Sequence, residues 1–479
     1  MSTVISSSIL VLVTRTLQKS LGFISTLILA RLLTPDDFGI VAFLALTTNL
    51  FYVLAVSGNH QYLLSKPEVN EDDLNTAISI DLIIKGVFWL ALIGLAPSIC
   101  RYFNFETALD ALYVSSVVII VRALKNPGFL LYSKNMNYSY FLKLEVASKL
   151  VSFLSVITWV FFDASYWAIV AGDIVAAVSM VAGSYLLHPF KPRFSLSKFG
   201  EQWSFSKWSF FKGSIGYAKA NLDQVFATKV FSTAQLGNYY MAKDISMLPA
   251  YSLINPACDP LLPAFSKVQK DKEGFRYQIQ FSLVIANILS LPIAIYLYIF
   301  SVPLVSLVLG PKWAPISQLV SAFSLLMYFS CLGPVLVHAC VAKQKMKSIF
   351  LIDLFSLIIL VLSFWVVWDR GIESLAWAKG IVHALIIMIY VLYLKKLSNI
   401  SLSRILFLCC PSFTGCLVSF LICEAFLNLE SINSIFSLIY FSCVFFVISV
   451  MVTVTISFLY KDVVEFKHIF RLVKQSIKR

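Results

Sequence analysis

The segment TVISSSILVLVTRTLQKSLGFISTLILARLL, residues 3–33, is apolar and long enough to cross a membrane as one helix. Arg15 and Lys19 lie four residues apart near its middle, and the segment contains no Asp or Glu. Each such cation costs roughly 3 kcal/mol at the bilayer centre, so we expect the pair to face a watery cavity. Because like charges one helical turn apart repel, the pair predicts an anion site, with ion pairing to another helix as the alternative.

Similar apolar segments recur along the whole chain. Hydrophobic residues make up 59% of the 479 residues, charged residues 13%, and the mean hydropathy is +0.83. These values are typical of a polytopic membrane protein, not of a soluble one. Runs of about 20 apolar residues predict an all-α fold with about 14 transmembrane helices. They are predicted near residues 5–33, 38–57, 76–98, 107–124, 139–162, 164–187, 206–231, 237–262, 276–301, 314–342, 347–368, 373–394, 402–424 and 434–460.

The loop cations predict the orientation of these helices. Nearly all Lys and Arg between spans fall in alternate loops, whereas the opposite loops hold only Arg101, Lys312 and Arg370. Since positive loops stay in the cytoplasm, both termini are predicted to be cytoplasmic. The net charge of +13 therefore reflects membrane topology and not nucleic-acid binding. The tail 461–479 is predicted to be a basic amphipathic helix on anionic lipid, with a frayed tail as the alternative.

The chain contains a weak internal repeat. At an offset of 198 residues, residues 30–34 align with 228–232, and the pair Phe38-Gly39 aligns with Leu236-Gly237. Six predicted helices separate the copies, so the repeat is parallel, with its axis along the membrane normal. The sequence thus predicts two six-helix bundles and two additional C-terminal helices. The predicted divisions are an N-terminal lobe at 1–190, a basic cytoplasmic linker at 191–205, a C-terminal lobe at 206–396, two extra helices at 397–460 and a basic tail at 461–479.

Prolines distinguish the two copies. The turn after the first span, with Pro35, Asp36 and Asp37, is typical of a helix stop followed by an N-cap. The eighth predicted helix contains four prolines, whereas the second contains none. Because proline frees backbone carbonyls, the eighth helix is predicted to be a moving or broken element, with a static kink as the alternative. These prolines are Pro249, Pro256, Pro260 and Pro263.

Several other cations lie deep within predicted spans. Three of them have an acid four residues away, which favours structural ion pairs as one interpretation; the pairs are Lys85 with Asp81, Lys149 with Glu145, and Lys219 with Asp223. Lys212 and Lys219 share a face of the seventh helix, the repeat counterpart of the first, so a cavity between the bundles would present cations from both lobes. The predicted binding residues for an anionic headgroup are Arg15, Lys19, Lys85, Lys149, Lys212 and Lys219.

Four intramembrane carboxylates are candidates for ion coupling. Each is predicted either to carry a coupling proton or sodium ion, or only to balance a nearby lysine. They are Asp81, Asp173, Asp223 and Asp353. The sequence contains no common hydrolase, P-loop or zinc motif, so we expect a transporter with no metal and no cofactor.

Four segments resemble the polysaccharide transporter branch of the MOP flippase superfamily, and in particular its colanic-acid-exporter-like group. They are Leu29-Ala30-Arg31-Leu32-Leu33-Thr34-Pro35 with Phe38-Gly39; Arg122-Ala123-Leu124 leading to Lys134; Ile254-Asn255-Pro256 followed by Leu262-Pro263-Ala264-Phe265-Ser266-Lys267; and Val302-Pro303-Leu304 leading to Gly310-Pro311-Lys312-Trp313. The resemblance carries over no binding residues.

This resemblance implies export of a polyprenyl-pyrophosphate-linked oligosaccharide, an O-antigen or exopolysaccharide repeat unit, across a bacterial inner membrane by alternating access. Its implied partners are that lipid-linked substrate, membrane lipid and other polysaccharide-assembly proteins, and not nucleic acid. A pyrophosphate suits Arg15, whose guanidinium forks onto phosphate oxygens, and Lys19 as a point charge. The alternatives are a cation-coupled multidrug exporter of the same superfamily and a membrane polysaccharide polymerase or ligase.

Overall fold

The structure, a computed structural model, describes residue 18 and residues 20–66, 68–134, 138–426, 432, 434–460 and 463–467. Within these residues the fold is all α-helical, with no β-strand. The helices are α1 (Ser20–Leu32), α2 (Pro35–Leu54), α3 (Asn59–Ser65), α4 (Glu71–Phe103), α5 (Leu109–Ala123), α6 (Leu130–Lys134), α7 (Tyr138–Phe162), α8 (Trp167–Leu187), α9 (Phe199–Val230), α10 (Thr233–Pro249), α11 (Asn255–Cys258), α12 (Leu261–Val268), α13 (Lys272–Ile299), α14 (Ser301–Val308), α15 (Ile316–Ala342), α16 (Met346–Val367), α17 (Ile372–Ser398), α18 (Leu402–Phe426) and α19 (Ile435–Leu459).

Ten of the described helices are long and apolar enough to cross a membrane. They include the predicted second, third, fifth and sixth spans and all six from the ninth to the fourteenth. The four other predicted spans correspond to α1, α5, α9 and α10, which in the described residues are short, charged or interrupted. The polytopic all-α fold is therefore confirmed, and the count of fourteen stays a prediction.

The chain divides into two compact units, residues 1–240 and 241–479. The first unit contains α1 to α9 and the start of α10. The second contains the rest of α10 and α11 to α19, with α15 packed between α13 and α17. The predicted lobe boundaries at 190, 206, 396 and 460 concern the sequence repeat and stay a prediction.

The two repeat-related turns are capped in the same way. The Thr34 hydroxyl accepts from the N–H of Asp37 at 3.2 Å, and the Asp37 carboxylate accepts from the N–H of Thr34 at 2.9 Å. Ser232 and Gln235 make the same reciprocal pair at 3.3 and 3.1 Å. Both are capping boxes, in which two donors at a helix start are satisfied together. A helix stop followed by a cap is confirmed, but the cap is Thr34, whereas the prediction assigned the stop and cap to residues 35–37; Pro35 is the first helical residue and Asp37 the third.

The helices that follow these turns meet through glycine. A Cβ built at Gly39 would overlap the carbonyl oxygen of Thr233, and a Cβ built at Gly237 would overlap that of Pro35. The two contacts are equivalent at the 198-residue offset, so α2 and α10 start against each other symmetrically. Only a residue without a side chain permits this backbone approach.

The eighth predicted helix is broken. It ends as an α-helix at Pro249, continues as a π-helix over Ala250–Ile254, and resumes as α11 and α12. Proline cannot donate to the preceding turn, so Pro249 and Pro256 remove hydrogen bonds at either side of the π-helix. The α-helix is thus interrupted where the prolines lie, and movement of this element stays a prediction.

The start of the tail packs on the second unit. Arg404 donates two hydrogen bonds, at 2.8 and 3.1 Å, to the carboxylate of Glu465, which is almost wholly buried. Phe466 is buried against Val284 and Leu408. Within the five described tail residues, Glu465 and Phe466 pack on protein, which corrects the prediction of a tail lying on lipid for these two residues. The remainder of the predicted tail helix lies outside the described residues.

Candidate functional site

The structure describes the side chains of three of the six predicted anion-binding residues. The three are Lys85 on α4, Lys149 on α7 and Lys219 on α9. Arg15 and Lys19 lie outside the described residues, and Lys212 lies on α9 with its side chain outside the described part. The site is therefore assembled from the groups around Lys85 and Lys149.

Asp81 is a node of hydrogen bonds. The Lys85 ammonium, one helical turn away, donates to Asp81 Oδ2 at 2.7 Å. The hydroxyl of Ser57 and the amide of Asn59, at 3.3 Å, both donate to Asp81 Oδ1. Three donors hold the carboxylate in one position and stabilise its charge. Lys85 is only 6% exposed. The predicted pair of Lys85 and Asp81 is confirmed.

An aromatic ring connects Lys85 to a second cation. The Lys85 ammonium lies 5.9 Å from the ring centroid of Tyr52, and the guanidinium carbon of Arg122 lies 5.2 Å from the same centroid. Cations at this distance are attracted to the electron-rich ring face. The ring of Tyr52 thus lets Lys85 on α4 and Arg122 on α5 approach each other.

The predicted pair of Lys149 and Glu145 is wrong. Among the described residues, no ion pair within 4 Å joins them; Glu145 accepts instead from the amide of Gln18 at 3.0 Å. The Lys149 stem extends towards α1, with Cε 3.8 Å from where a Cβ of Gly22 would lie. A one-turn spacing permits a salt bridge but does not require it, because a neighbouring helix can supply another donor.

Helix packing places Asp173 beside Lys149. The carbonyl of Gly172 accepts from the Ser152 hydroxyl at 2.8 Å, and glycine at 172 lets α8 approach α7 closely. Asp173 follows directly, and Lys149 and Arg122 act on its carboxylate electrostatically. Asp173 is an exposed residue. Within the described residues, its carboxylate makes no hydrogen bond or ion pair.

Lys125 and His60 lie at the edge of this region, outside the spans. Burial lowers the pKa of Lys125; Glu145 opposes this shift, and Lys85 adds to it. Burial also lowers the pKa of His60, and Lys125 contributes in the same direction. These mutual effects show that the charges form one electrostatic unit, here called the ionic cluster. Its members are Asp81, Lys85, Arg122, Lys125, Glu145, Lys149 and Asp173.

The other predicted site residues do not belong to the ionic cluster. Lys219 is half-buried on α9. Asp223, one turn further on, is buried and accepts from the Tyr239 hydroxyl at 2.9 Å. Asp353 lies on α16 in the second unit. The structure therefore brings together four of the predicted residues: Lys85, Lys149, Asp81 and Asp173.

Three members of the ionic cluster, Arg122, Lys125 and Glu145, were not predicted as site residues, and neither was Gln18, which binds Glu145. Arg122 and Lys125 lie at the end of a predicted span, where a cation can simply extend to the membrane surface. Gln18 is uncharged and gives no signal of its own. The spacing between Lys85 and Arg122 depends on α4–α5 packing, and only the ring of Tyr52 on α2 joins them.

A family profile described as "Polysaccharide biosynthesis protein" matches residues 28–318. An "Uncharacterized membrane protein in cps region" of Klebsiella pneumoniae is 23% identical, over 73% of each chain. The "Lipopolysaccharide biosynthesis protein WzxC" of Escherichia coli K12 is 22% identical, over 70% of this chain and 69% of the relative. The "Succinoglycan biosynthesis transport protein ExoT" of Rhizobium meliloti is 21% identical, over 61% and 60%.

Solved structures share the fold. The "Lipid II flippase MurJ, inward closed conformation" superposes with a TM-score of 0.73 at 16% identity, over 96% of this chain and 99% of that one. An inward-facing MATE multidrug resistance transporter of the MOP superfamily superposes with a TM-score of 0.65 at 10% identity, over 80% and 94%. Both likenesses concern architecture.

Proposed function

Because this chain belongs to the polysaccharide biosynthesis protein family, we propose that it moves a polyprenyl-pyrophosphate-linked oligosaccharide across the membrane. The protein is a transporter and not an enzyme. The substrate is an O-antigen or exopolysaccharide repeat unit, and transport proceeds by alternating access from the cytoplasmic to the outer face of a bacterial inner membrane. The names of the relatives, which concern lipopolysaccharide and succinoglycan, and a fold shared with a lipid II flippase support this proposal.

The observation that carries the proposal is the positive excess of the ionic cluster. Four cations face three carboxylates, and Asp81 is occupied by its three donors. Lys149 and Arg122 share the single carboxylate of Asp173. Lys125, just outside the spans, supplies the excess charge, and an anion bound beside the cluster would balance it. A pyrophosphate is an anion of suitable charge.

Arg15 and Lys19 extend this site in the proposal. Gln18 and Gly22 on the first span meet α7 at Glu145 and near Lys149. Arg15 precedes Gln18 by three residues, and Lys19 precedes Gly22 by three. Residues three apart share a face of a helix, so this spacing in the sequence supports the predicted anion-binding pair. Lys212 and Lys219, on α9, remain proposed contacts from the other repeat.

Asp173 is the proposed coupling carboxylate. It is exposed and has no hydrogen-bond partner in the described part of the chain, so it can take up a proton or a sodium ion without breaking a contact. Asp81 is less suited because three donors occupy it, and Asp223 is less suited because Tyr239 binds it. Asp353 lies outside the cluster. We expect export by Asp173→Asn to be insensitive to the pH and sodium gradients that drive the native protein.

The decisive test compares two charge-matched double variants in a strain that lacks its own flippase. Lipid-linked oligosaccharide accessible on the outer face is measured at equal protein abundance. Arg122→Gln with Lys149→Gln is expected to lower export at least about tenfold, since each removes a charge-assisted contact to the anion. The control, Arg101→Gln with Lys312→Gln, removes two outer-loop cations and is expected to export normally.

Three results would contradict the proposal. Equal export by both double variants would remove the anion site from the ionic cluster. No export by the native chain, with energy-dependent efflux of cationic drugs, would favour the multidrug exporter that the MATE fold permits. Chain growth of the glycan without translocation would favour a polymerase.

A further inference from the structure

The segment that joins α8 to α9, residues 188–198, is irregular but fixed in place. We call it the strap. Three of its backbone N–H groups donate to buried polar side chains of α4. The pairs are Arg193 N to Asn75 Oδ1 at 2.6 Å, Ser195 N to Ser79 Oγ at 2.9 Å, and Lys198 N to Thr76 Oγ1 at 3.2 Å. Because the strap backbone is hydrogen-bonded at these three positions, it keeps one conformation and exposes the same side chains.

Asn126 fixes the other end of the strap. Its buried amide donates to the carbonyl oxygens of His188 at 3.2 Å and Phe190 at 2.9 Å. Just before the strap, the Tyr132 hydroxyl donates to the carbonyl of Leu187 at 2.7 Å. The inner edge of the strap is thus satisfied by protein, and its outer edge is free for another contact.

The outer edge combines large apolar side chains with cations. Phe194 is 71% exposed and Leu186, at the end of α8, is 86% exposed. Phe199 and Trp203 at the start of α9 are also exposed, and their rings stack with centroids 5.8 Å apart. The strap cations Lys191 and Arg193 are exposed and make no ion pair within the described residues, whereas Lys198 pairs with Glu201 at 3.4 Å.

This composition fits one environment. The span candidate α8 ends at Leu187, so the strap begins where the hydrocarbon layer ends. Exposed Phe and Trp side chains are costly in water but favourable among lipid headgroups. Nearby Lys and Arg side chains reach lipid phosphates. We infer that the strap is a lipid-binding surface, which holds anionic phospholipid headgroups of the leaflet at the predicted cytoplasmic face.

The test uses the full chain reconstituted in two sets of vesicles. One contains a phosphatidylglycerol and the other a phosphatidylcholine, both with the same photoreactive group near the glycerol. After illumination, labelled peptides are identified by mass spectrometry. Each basic residue near an anionic surface adds roughly fivefold to binding. We therefore expect the peptide 188–203 to be labelled at least about fivefold more by the anionic lipid.

Two double variants test whether the preference for the anionic lipid comes from the strap cations. Lys191→Gln with Arg193→Gln is expected to bring the ratio of labelling close to one while both lipids still label the peptide, because Phe194 still lies among headgroups. Lys270→Gln with Lys272→Gln removes the same charge from the second unit and should keep the ratio.

Equal labelling of the native strap by the two lipids would overturn the inference. So would an unlabelled strap in a protein whose spans are labelled, since the strap would then face water or another protein. Both results come from the native chain and do not depend on the folding of a variant. Because no transport is measured, they leave the proposed flipping activity untouched.

Discussion

Helices α4 and α13 correspond to each other in the predicted 198-residue repeat, and they differ where the ionic cluster forms. At the 198-residue offset, the counterparts of Asp81 and Lys85 on α4 are Ile279 and Leu283 on α13. Ile279 is 0% exposed and Leu283 is buried. The turns before α2 and α10 have the same caps. The interior of α4, however, holds an ion pair where that of α13 holds apolar side chains. At these two positions, therefore, the first unit holds an ion pair and the second unit holds apolar side chains.

The largest expected effect comes from placing a charge in α13. Ile279→Asp buries an unpaired carboxylate among apolar side chains, which should destabilise the protein by about 4 kcal/mol or more. We expect almost no monodisperse protein in detergent extracts, as measured by fluorescence-detected size exclusion. Adding Leu283→Lys should restore part of the yield, because the two side chains can then pair as on α4. Normal yield of Ile279→Asp alone would show that α13 tolerates charge.

A smaller effect is expected for the reverse exchange on α4. Asp81→Ile leaves Lys85 buried without its partner and should cost about 3 kcal/mol, measured as a lower midpoint of thermal unfolding. Adding Lys85→Leu should recover most of that loss, since apolar side chains replace buried ion pairs well. The control is Asp369→Ile, at an exposed position, and it should change the midpoint of thermal unfolding little. A double variant no more stable than Asp81→Ile would show that the ion pair does not determine the stability of α4.

The smallest expected effect concerns the helix caps, which are the same in the two repeat copies. Thr34→Ala and Ser232→Ala each remove a helix cap and should each cost about 1 kcal/mol. Thr34→Ser and Ser232→Thr keep the cap and should be neutral. Because Thr233 and Pro35 contact the opposite glycines, the double alanine variant should depart from additivity. Clearly unequal single effects would mean that the two turns are equivalent in sequence but not in energy.

Local signals predicted the scaffold well. Residues 34–37 contain the cap and the proline in adjacent positions, and the prolines around Pro249 predicted the interruption of the eighth helix. These features depend on hydrogen bonds within one turn of the chain, which the sequence displays directly. The 198-residue offset of the repeat could be recognised in the sequence because no other residue can replace glycine where two helix backbones touch.

The site was predictable only in part, because its contacts join different helices. Lys149 was assigned to Glu145 on its own helix, but Gln18 bonds that carboxylate and Lys149 extends towards α1. Arg122 was not predicted as a site residue because its role depends on the ring of Tyr52 on α2. Side-chain partners across a bundle depend on helix rotation and depth, which periodicity does not specify.

Gly39 and Gly237 let the starts of α2 and α10 pack with their backbones in contact. At Gly39 the carbonyl and the methyl group of Thr233 occupy the place that a Cβ would take, and at Gly237 the carbonyl of Pro35 does. Any larger residue at either position would push the two helix starts apart, because close-packed groups cannot overlap. The contact therefore sets the separation between the starts of α2 and α10, and one added methyl group at either glycine would change it.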